Sequence, residues 1–118
     1  MIKAAIVILA GADGHDNLGR MSNGLEAARG FAENDGDELE LIFDGASTRW
    51  ILELEDEDSD HHELYQAVRQ DTSAWGHCSG AFGVEDAVSD AGVEFADESN
   101  GHPSLRALVE DGYEIITF

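Results

Sequence analysis

The feature that most constrains the fold is the way the chain's apolar pattern changes period along its length. Ile2 to Leu9 is a continuous run of β-forming residues interrupted only by Lys3. Apolar residues without polar alternation mark a strand covered on both faces. The pattern then switches to helical spacing. Leu18, Met21, Leu25, Ala28 and Ala32 recur at three and four residues. Asp16 or Asn17 is the expected N-cap of that helix, and Asn34-Asp35-Gly36 its stop signal. Gly24 and Gly30 weaken the helix without removing the pattern.

The alternation continues to the end of the chain. Leu39 to Phe43 reads as a second strand. Thr48 to Glu55 starts as a short helical turn before an acidic loop, and Asp60 to Gln70 is a helix with Leu64, Tyr65 and Val68 on one face. A third strand falls within Thr72 to His77, followed by a helix over Ser79 to Ala91 built on Phe82, Ala87, Val88 and Ala91 and closed by Gly92. Val93 to Ala96 is a short fourth strand. Pro103 suits the first turn of a helix bearing Leu105, Leu108 and Val109 that ends at Gly112, and Tyr113 to Phe118 is a last strand. Strands alternating with helices imply right-handed crossovers and a mostly parallel sheet with helices on both faces. There is no repeat, linker or second domain, so residues 1–118 are read as one α/β domain.

Composition narrows the partners. Six basic residues against 26 acidic ones give a net charge of −20, and five of the six basics are arginine. Such a surface repels nucleic acid and anionic membranes, so neither is an expected partner. With 42% hydrophobic residues and clear periodicity, the acidity marks a folded surface of the kind suited to a salt-accumulating, halophilic cell. No run approaches a membrane span, and the apolar start lacks the charged flank and cleavage site of a signal peptide. A cytoplasmic location is expected, where a thiol stays reduced.

In an open α/β sheet, ligands bind beyond the C-terminal ends of the strands. The loops that gather there are Gly11 to Asn17, Asp44 to Arg49, Gly76 to Ser79 and Asp97 to His102. They bring Asp13, His15, Asp44, His77, Cys78 and His102 to one rim. Cys78 is the single cysteine, so an intrachain disulfide is excluded. A cysteine at a strand-to-helix turn lies near the free N–H groups of the helix start, which favour thiolate. A small buried hydrophobe is the other reading of a free cysteine, and position alone leaves both open. His15, His77 and His102 would line a pocket, polarise a substrate or help deprotonate Cys78, with plain surface placement the alternative.

Several other chemistries are disfavoured. His15, His77, Cys78 and His102 have zinc-ligand types, but His77 and Cys78 are adjacent and no two of these histidines share helical spacing, so no metal is expected. Asp56, Asp58 and Asp60 alternate as in a calcium loop, yet His61 stands where glycine is needed and Ala67 where glutamate is needed. That stretch reads as a solvated acidic loop, with His61 and His62 at a helix start. Gly11-Ala12-Asp13-Gly14 is too short for a dinucleotide fingerprint, no phosphate-binding P-loop is present, and no cofactor is expected. No serine sits in a nucleophile elbow. Asp13 and Asp44 are expected to cap helices. Trp50, Trp75 and Phe82 flank the rim as core residues, or alternatively as a subunit interface.

Four segments together resemble the DsrE family. They are Ile6-Val7-Ile8-Leu9, Leu41-Ile42-Phe43-Asp44-Gly45-Ala46, the Cys78 turn, and Gly101-His102-Pro103-Ser104-Leu105 through Gly112-Tyr113-Glu114-Ile115-Ile116-Thr117-Phe118. The family includes sulfur-relay subunits and YchN-like proteins, and the similarity spans essentially the whole chain. The resemblance implies a three-layer α/β/α sandwich around a five-stranded sheet, and homo-oligomers (trimers or hexamers). It also implies that Cys78 accepts sulfane sulfur as a persulfide from a donor protein and passes it to an acceptor protein. The rival expectation is a non-catalytic oligomeric module that binds a small ligand or metal and keeps Cys78 for structure.

Overall fold

Strand β1 (Lys3–Ile8) is the sheet's apolar anchor, with Ala4, Ala5, Ile6 and Ile8 0% exposed and Val7 1% exposed. A computed structural model of the chain describes residues 1–74, 85–95 and 104–118. Because β1 is sealed on both faces, its backbone groups must be paired on both edges. Strand β2 (Glu38–Phe43) lies parallel to it on one side, in register from Lys3 opposite Glu38 to Ile8 opposite Phe43. On the other side lies β5 (Glu114–Thr117), also parallel, with Ala4 opposite Glu114 and Val7 opposite Thr117. Strands β3 (Thr72–Ala74) and β4 (Glu94–Phe95) continue the sheet beyond β2. The order is β4-β3-β2-β1-β5 and every pairing is parallel. The chain is thus an α/β protein with a five-stranded, all-parallel sheet between helices.

That order decides which face each helix covers. From β1 to β4 the chain steps across the sheet in one direction, so right-handed crossovers place the intervening helices on one face. These are α1 (His15–Ala32), α2 (Trp50–Glu55), α3 (His62–Val68) and α4 (Glu85–Asp90). One core cluster joins Met21, Leu25, Ile51, Leu54, Tyr65, Val68 and Val88 from them to Ile6, Ile8, Leu41 and Phe43 of the sheet. The β4-to-β5 connection runs back across the sheet, and the same handedness puts α5 (Leu105–Glu110) in the third layer. Ala5, Val7 and Ile42 turn to that second face and are also buried.

Boundaries moved where local chemistry differs from periodicity. The N-cap of α1 is Gly14, at φ 89°, rather than Asp16 or Asn17; Asp16 lies in the first turn instead, where its charge favours the helix dipole. The expected stop signal is present, with Gly36 at φ 91°. The turn placed at Thr48 begins three residues earlier, as a 3₁₀ segment Gly45–Arg49 leading into α2. Another 3₁₀ segment, Arg69–Asp71, separates α3 from β3. Helix α5 departs most from expectation: Leu105 is 40% and Val109 61% exposed, and neither joins the core cluster. The helix has only six residues, too few turns to aim a wide apolar stripe at the sheet.

Lys3, the single lysine, fastens the start of β1 to both neighbours. Its ammonium donates to the Asp111 carbonyl at 2.7 Å, lies 3.6 Å from a Glu38 carboxylate oxygen, and sits 4.7 Å from the centre of the Tyr113 ring. It therefore neutralises β2 and contacts the turn before β5 at once.

The two helix glycines differ in kind. A Cβ on Gly24 would fall 2.2 Å from Cδ1 of Ile8 and 3.2 Å from Cγ of Phe118, so its absence lets α1 settle against β1 and the C-terminal segment. A Cβ on Gly30 would meet nothing within 4 Å. Gly24→Val should therefore destabilise by about 1–3 kcal/mol through overpacking. Gly30→Ala should stabilise by roughly 0.5–1 kcal/mol through helix propensity. Denaturant unfolding of both variants checks this, and an equal response at the two sites would contradict the close approach at Gly24.

Candidate functional site

The C-terminal edge of the sheet is built by tying the loop after β1 to the turn after β2. The Asp44 amide donates to the Ile8 carbonyl at 3.0 Å. Ser47, fully buried, directs its hydroxyl at the carbonyls of Ile8 and Asp44. One hydroxyl proton serves both acceptors, so Ser47 joins the two strand ends rather than facing solvent. Trp50 adds a second tie: its indole Nε1 donates to the carbonyls of Ala10 and Gly11, each at 3.0 Å. Its ring lies in the core, as a packing tryptophan should. Gly11 lies so near the turn that a Cβ there would be 3.3 Å from that of Ala46.

Three of the rim residues read from sequence fall within this edge. Asp13 is exposed and faces Arg49, with a carboxylate-to-guanidinium distance of 3.5 Å. It is not a helix cap; its backbone carbonyl instead accepts from the Asn17 side chain at 2.9 Å. Asp44 does occupy the N-cap position of the 3₁₀ segment, but its carboxylate makes no capping hydrogen bond. Both capping expectations fail: Gly14 takes the N-cap position before α1, and the Asp44 side chain accepts from none of the amides of the turn it precedes. His15 opens α1 and is exposed; with Ala12, Gly14, Leu18, Trp50 and Glu53 it lines a shallow cleft of about 320 Å³. Asp13 and Asp44 are not among its lining residues. His77, Cys78 and His102 lie outside the described residues, as do Trp75 and Phe82.

The topology says where along this edge a crevice is favoured. Ligand crevices in open α/β sheets form where connections from neighbouring strands leave to opposite faces. Here the β3-to-β4 connection runs over the helix-rich face and the β4-to-β5 connection over the other, so the switch falls between the ends of β3 and β4, at Ala74 and Phe95. A second cleft, about 630 Å³, lies at the ends of β1 and β5, lined by Leu9, Ala10, Gly11, Asn17, Arg20, Thr117 and Phe118. None of the rim residues singled out in the sequence lines it. Its signal in the sequence is the Asn17–Arg20 spacing, which puts two polar side chains on one face of α1.

A charged network at the opposite ends of the helices holds β3 and β4 in place. Glu55, closing α2, accepts from the Tyr65 hydroxyl at 2.6 Å and from Arg69 Nε at 2.7 Å. Arg69 also donates through Nη2 to the Ala91 carbonyl, just before β4. Burial pushes the Glu55 carboxyl up, but the hydrogen bonds from Arg69 and Tyr65 outweigh it and leave its pKa below the usual value. Burial, reinforced by the Glu55 hydrogen bond, pushes the Tyr65 hydroxyl well above the usual tyrosine range. The acidic loop behaves as read from sequence: the Asp58 amide donates to the Asp56 carboxylate at 2.9 Å, and His61 and His62 begin α3. Among the described residues no group of three or more His, Cys, Asp or Glu could hold a metal ion, and no helix is long and apolar enough to cross a membrane.

Comparison with known proteins extends the fold and stops there. No protein-family profile matches the chain, and no curated protein matches it. Among solved structures, a conserved protein of unknown function from Bacteroides thetaiotaomicron is similar, with a TM-score of 0.56 and 14% sequence identity, covering 97% of this chain and 94% of that one. At that identity the likeness is one of architecture.

The Glu55 network makes a pH-dependent contribution with a definite sign. A carboxyl whose pKa is depressed by folding stabilises above its unfolded value, near 4.5, and loses that contribution as pH falls through the folded value. Glu55→Gln should cost about 1–2 kcal/mol at neutral pH, allowing for partial exposure of the pair. The gap between variant and wild type should close as the pH drops below that range. Urea titrations across pH measure it, and a gap that stayed constant into acid would remove the ion pair from the account.

Proposed function

We propose that this protein is a sulfur carrier whose working residue is Cys78. In this reading the Cys78 thiolate attacks the outer sulfur of a donor persulfide. The donor's S–S bond breaks, a new one forms to Cys78, and the donor leaves as thiolate; the proton stays on the transferred outer sulfur. An acceptor thiolate then attacks that outer sulfur and releases Cys78 as thiolate. Neither step changes the overall count of electrons, so no external oxidant is needed. The protein acts in the cytoplasm of a halophilic cell as a homo-oligomer, trimer or hexamer, between donor and acceptor proteins.

The observation that carries the reading is the strand order. With β4-β3-β2-β1-β5, the switch in crossover direction falls between β3 and β4. The chain that follows β3 in sequence contains His77 and Cys78, and the chain that follows β4 contains His102. The residues that the resemblance and the rim argument single out thus follow the two strand ends where a crevice is favoured. His77 and His102 are assigned to supporting the thiolate, and His15, Asp13 and Asp44 to the neighbouring wall of the edge. A thiolate near a helix start gains from its dipole, while the protein's net charge of −20 opposes it.

Intact-protein mass spectrometry after exposure to a small-molecule persulfide is the direct test. Wild type should gain the mass of one sulfur atom, reversed by a thiol reductant, and Cys78→Ser should gain none. An unchanged wild-type mass, with Cys78 labelled by a thiol reagent only after unfolding, would leave the cysteine as a packing residue and support the rival binding module.

A further inference from the structure

We infer that Arg69 latches the α4–β4 turn to α2, and that releasing this latch lets residues 85–95 open as a unit while the rest of the sheet stays formed. The inference rests on the described fold alone and is independent of the sulfur-carrier reading.

It starts from how α4 ends. Gly92, at φ 78°, turns the chain out of the helix in the left-handed conformation. Its amide donates to the Ser89 carbonyl at 3.0 Å, and the Val93 amide reaches back to the Val88 carbonyl at 3.4 Å. Those two bonds, with Val88 and Val93 both buried in the core cluster, make a Schellman stop. The motif occupies the carbonyls of Val88 and Ser89; that of Ala91, between helix and glycine, lies outside it. The last carbonyls of a helix point outward with partial negative charge and call for a donor. The Arg69 guanidinium supplies one to Ala91, through Nη2. The glycine is also beside it: a Cβ on Gly92 would lie 3.9 Å from that nitrogen.

The other side of the guanidinium is anchored. Arg69 Nε donates to Glu55 Oε2 at 2.7 Å and Nη2 to Oε1 at 3.4 Å, a two-point grip on the end of α2. The Tyr65 hydroxyl holds the same carboxylate at 2.6 Å, so α3 fixes Glu55 in place for Arg69. Side-chain exposures of 33% for Arg69 and 27% for Glu55 put the pair between surface and core, where an ion pair contributes more than on an open surface. Position in the chain adds leverage. Arg69 stands three residues before β3, and Ala91 three before β4. One guanidinium therefore sets the entry of both strands, whose pairing places Ser73 opposite Glu94 and Ala74 opposite Phe95. Among the described strands β4 is outermost, and peripheral elements open at less than the free energy of global unfolding. Opening the unit parts β4 from β3, at the junction where the crossover direction switches.

Native-state hydrogen exchange at low urea concentrations tests this, with the Gly92 and Val93 amides reporting on the unit and the β1 amides on the whole molecule. In the wild type, Gly92 and Val93 should exchange faster than β1 and with a weaker urea dependence. Arg69→Gln should speed their exchange about tenfold. Gly24→Val, which overpacks the α1–β1 contact, should speed β1 and leave Gly92 and Val93 unchanged, because that contact persists through the local opening. Glu55→Gln should act as Arg69→Gln does, at smaller amplitude, and replaces it if the arginine variant does not fold. The inference is overturned if Gly92 and Val93 share the urea dependence of β1, if they respond to Gly24→Val as β1 does, or if neither latch variant speeds them. Failure of sulfur loading on Cys78 would leave the latch untouched, so the two readings fail separately.

Discussion

A strand sealed on both faces sets the terms for everything around it. β1 has no polar side on which to rest against water, so it demands a neighbour at each edge and a layer above and below. β2 and β5 meet the first demand, and α1 meets one half of the second. Because β5 is the last element of the chain, the route back to β1 must cross the sheet from β4. That return passage creates the third layer, and it also places the switch in crossover direction at the β3–β4 junction. The location of the favoured crevice is therefore a consequence of pairing β1, several strands away.

The loops at the C-terminal edge of the sheet are held by polar groups committed to the backbone. Ser47 and the Trp50 indole are polar, yet both are committed to backbone carbonyls of the β1 end and its loop. An unpaired carbonyl in that buried position would cost about 1–3 kcal/mol, so these side chains serve the scaffold rather than a substrate. The same applies to Glu55, Tyr65 and Arg69 at the other end. The exposed side chains along the described edge include Asp13, His15 and Asp16, with Arg49 paired to Asp13.

Much of the architecture was legible in the alternation of periods because burial on two faces writes an unambiguous run, as in Ile2 to Leu9, and because α1 repeats its apolar residues over eighteen positions. Legibility failed where side chains compete for backbone groups. Nothing in Asp44-Gly45-Ala46-Ser47 announces that the serine hydroxyl will donate to the Ile8 and Asp44 carbonyls, or that the aspartate will leave the turn's amides uncapped. Leu105 and Val109 have helical spacing, but spacing carries no information about whether a layer exists to receive them. Gly24 illustrates the converse: propensity marks it as a weak point in a helix, while the packed structure needs its missing Cβ. The rim aspartates and His15 were placed on the correct edge because topology alone determines which loops gather there; their partners depended on contacts across forty residues of sequence, which a local pattern does not encode.

Charge links these threads. With six cations against 26 carboxylic acids, neutralisation inside the fold is selective: Lys3 joins three parts of the sheet and Arg69 joins α2 to the start of β4. The remaining carboxylates repel one another and raise the free energy of any further anion at the surface, a thiolate included. Salt weakens that repulsion over distances beyond the Debye length, about 8 Å at physiological strength and about 3 Å at 1 M. Contacts at hydrogen-bond range, such as a guanidinium on a carboxylate, survive screening far better than the diffuse field does. High ionic strength thus weakens the long-range repulsion among these carboxylates while sparing short-range contacts such as those of Lys3 and Arg69.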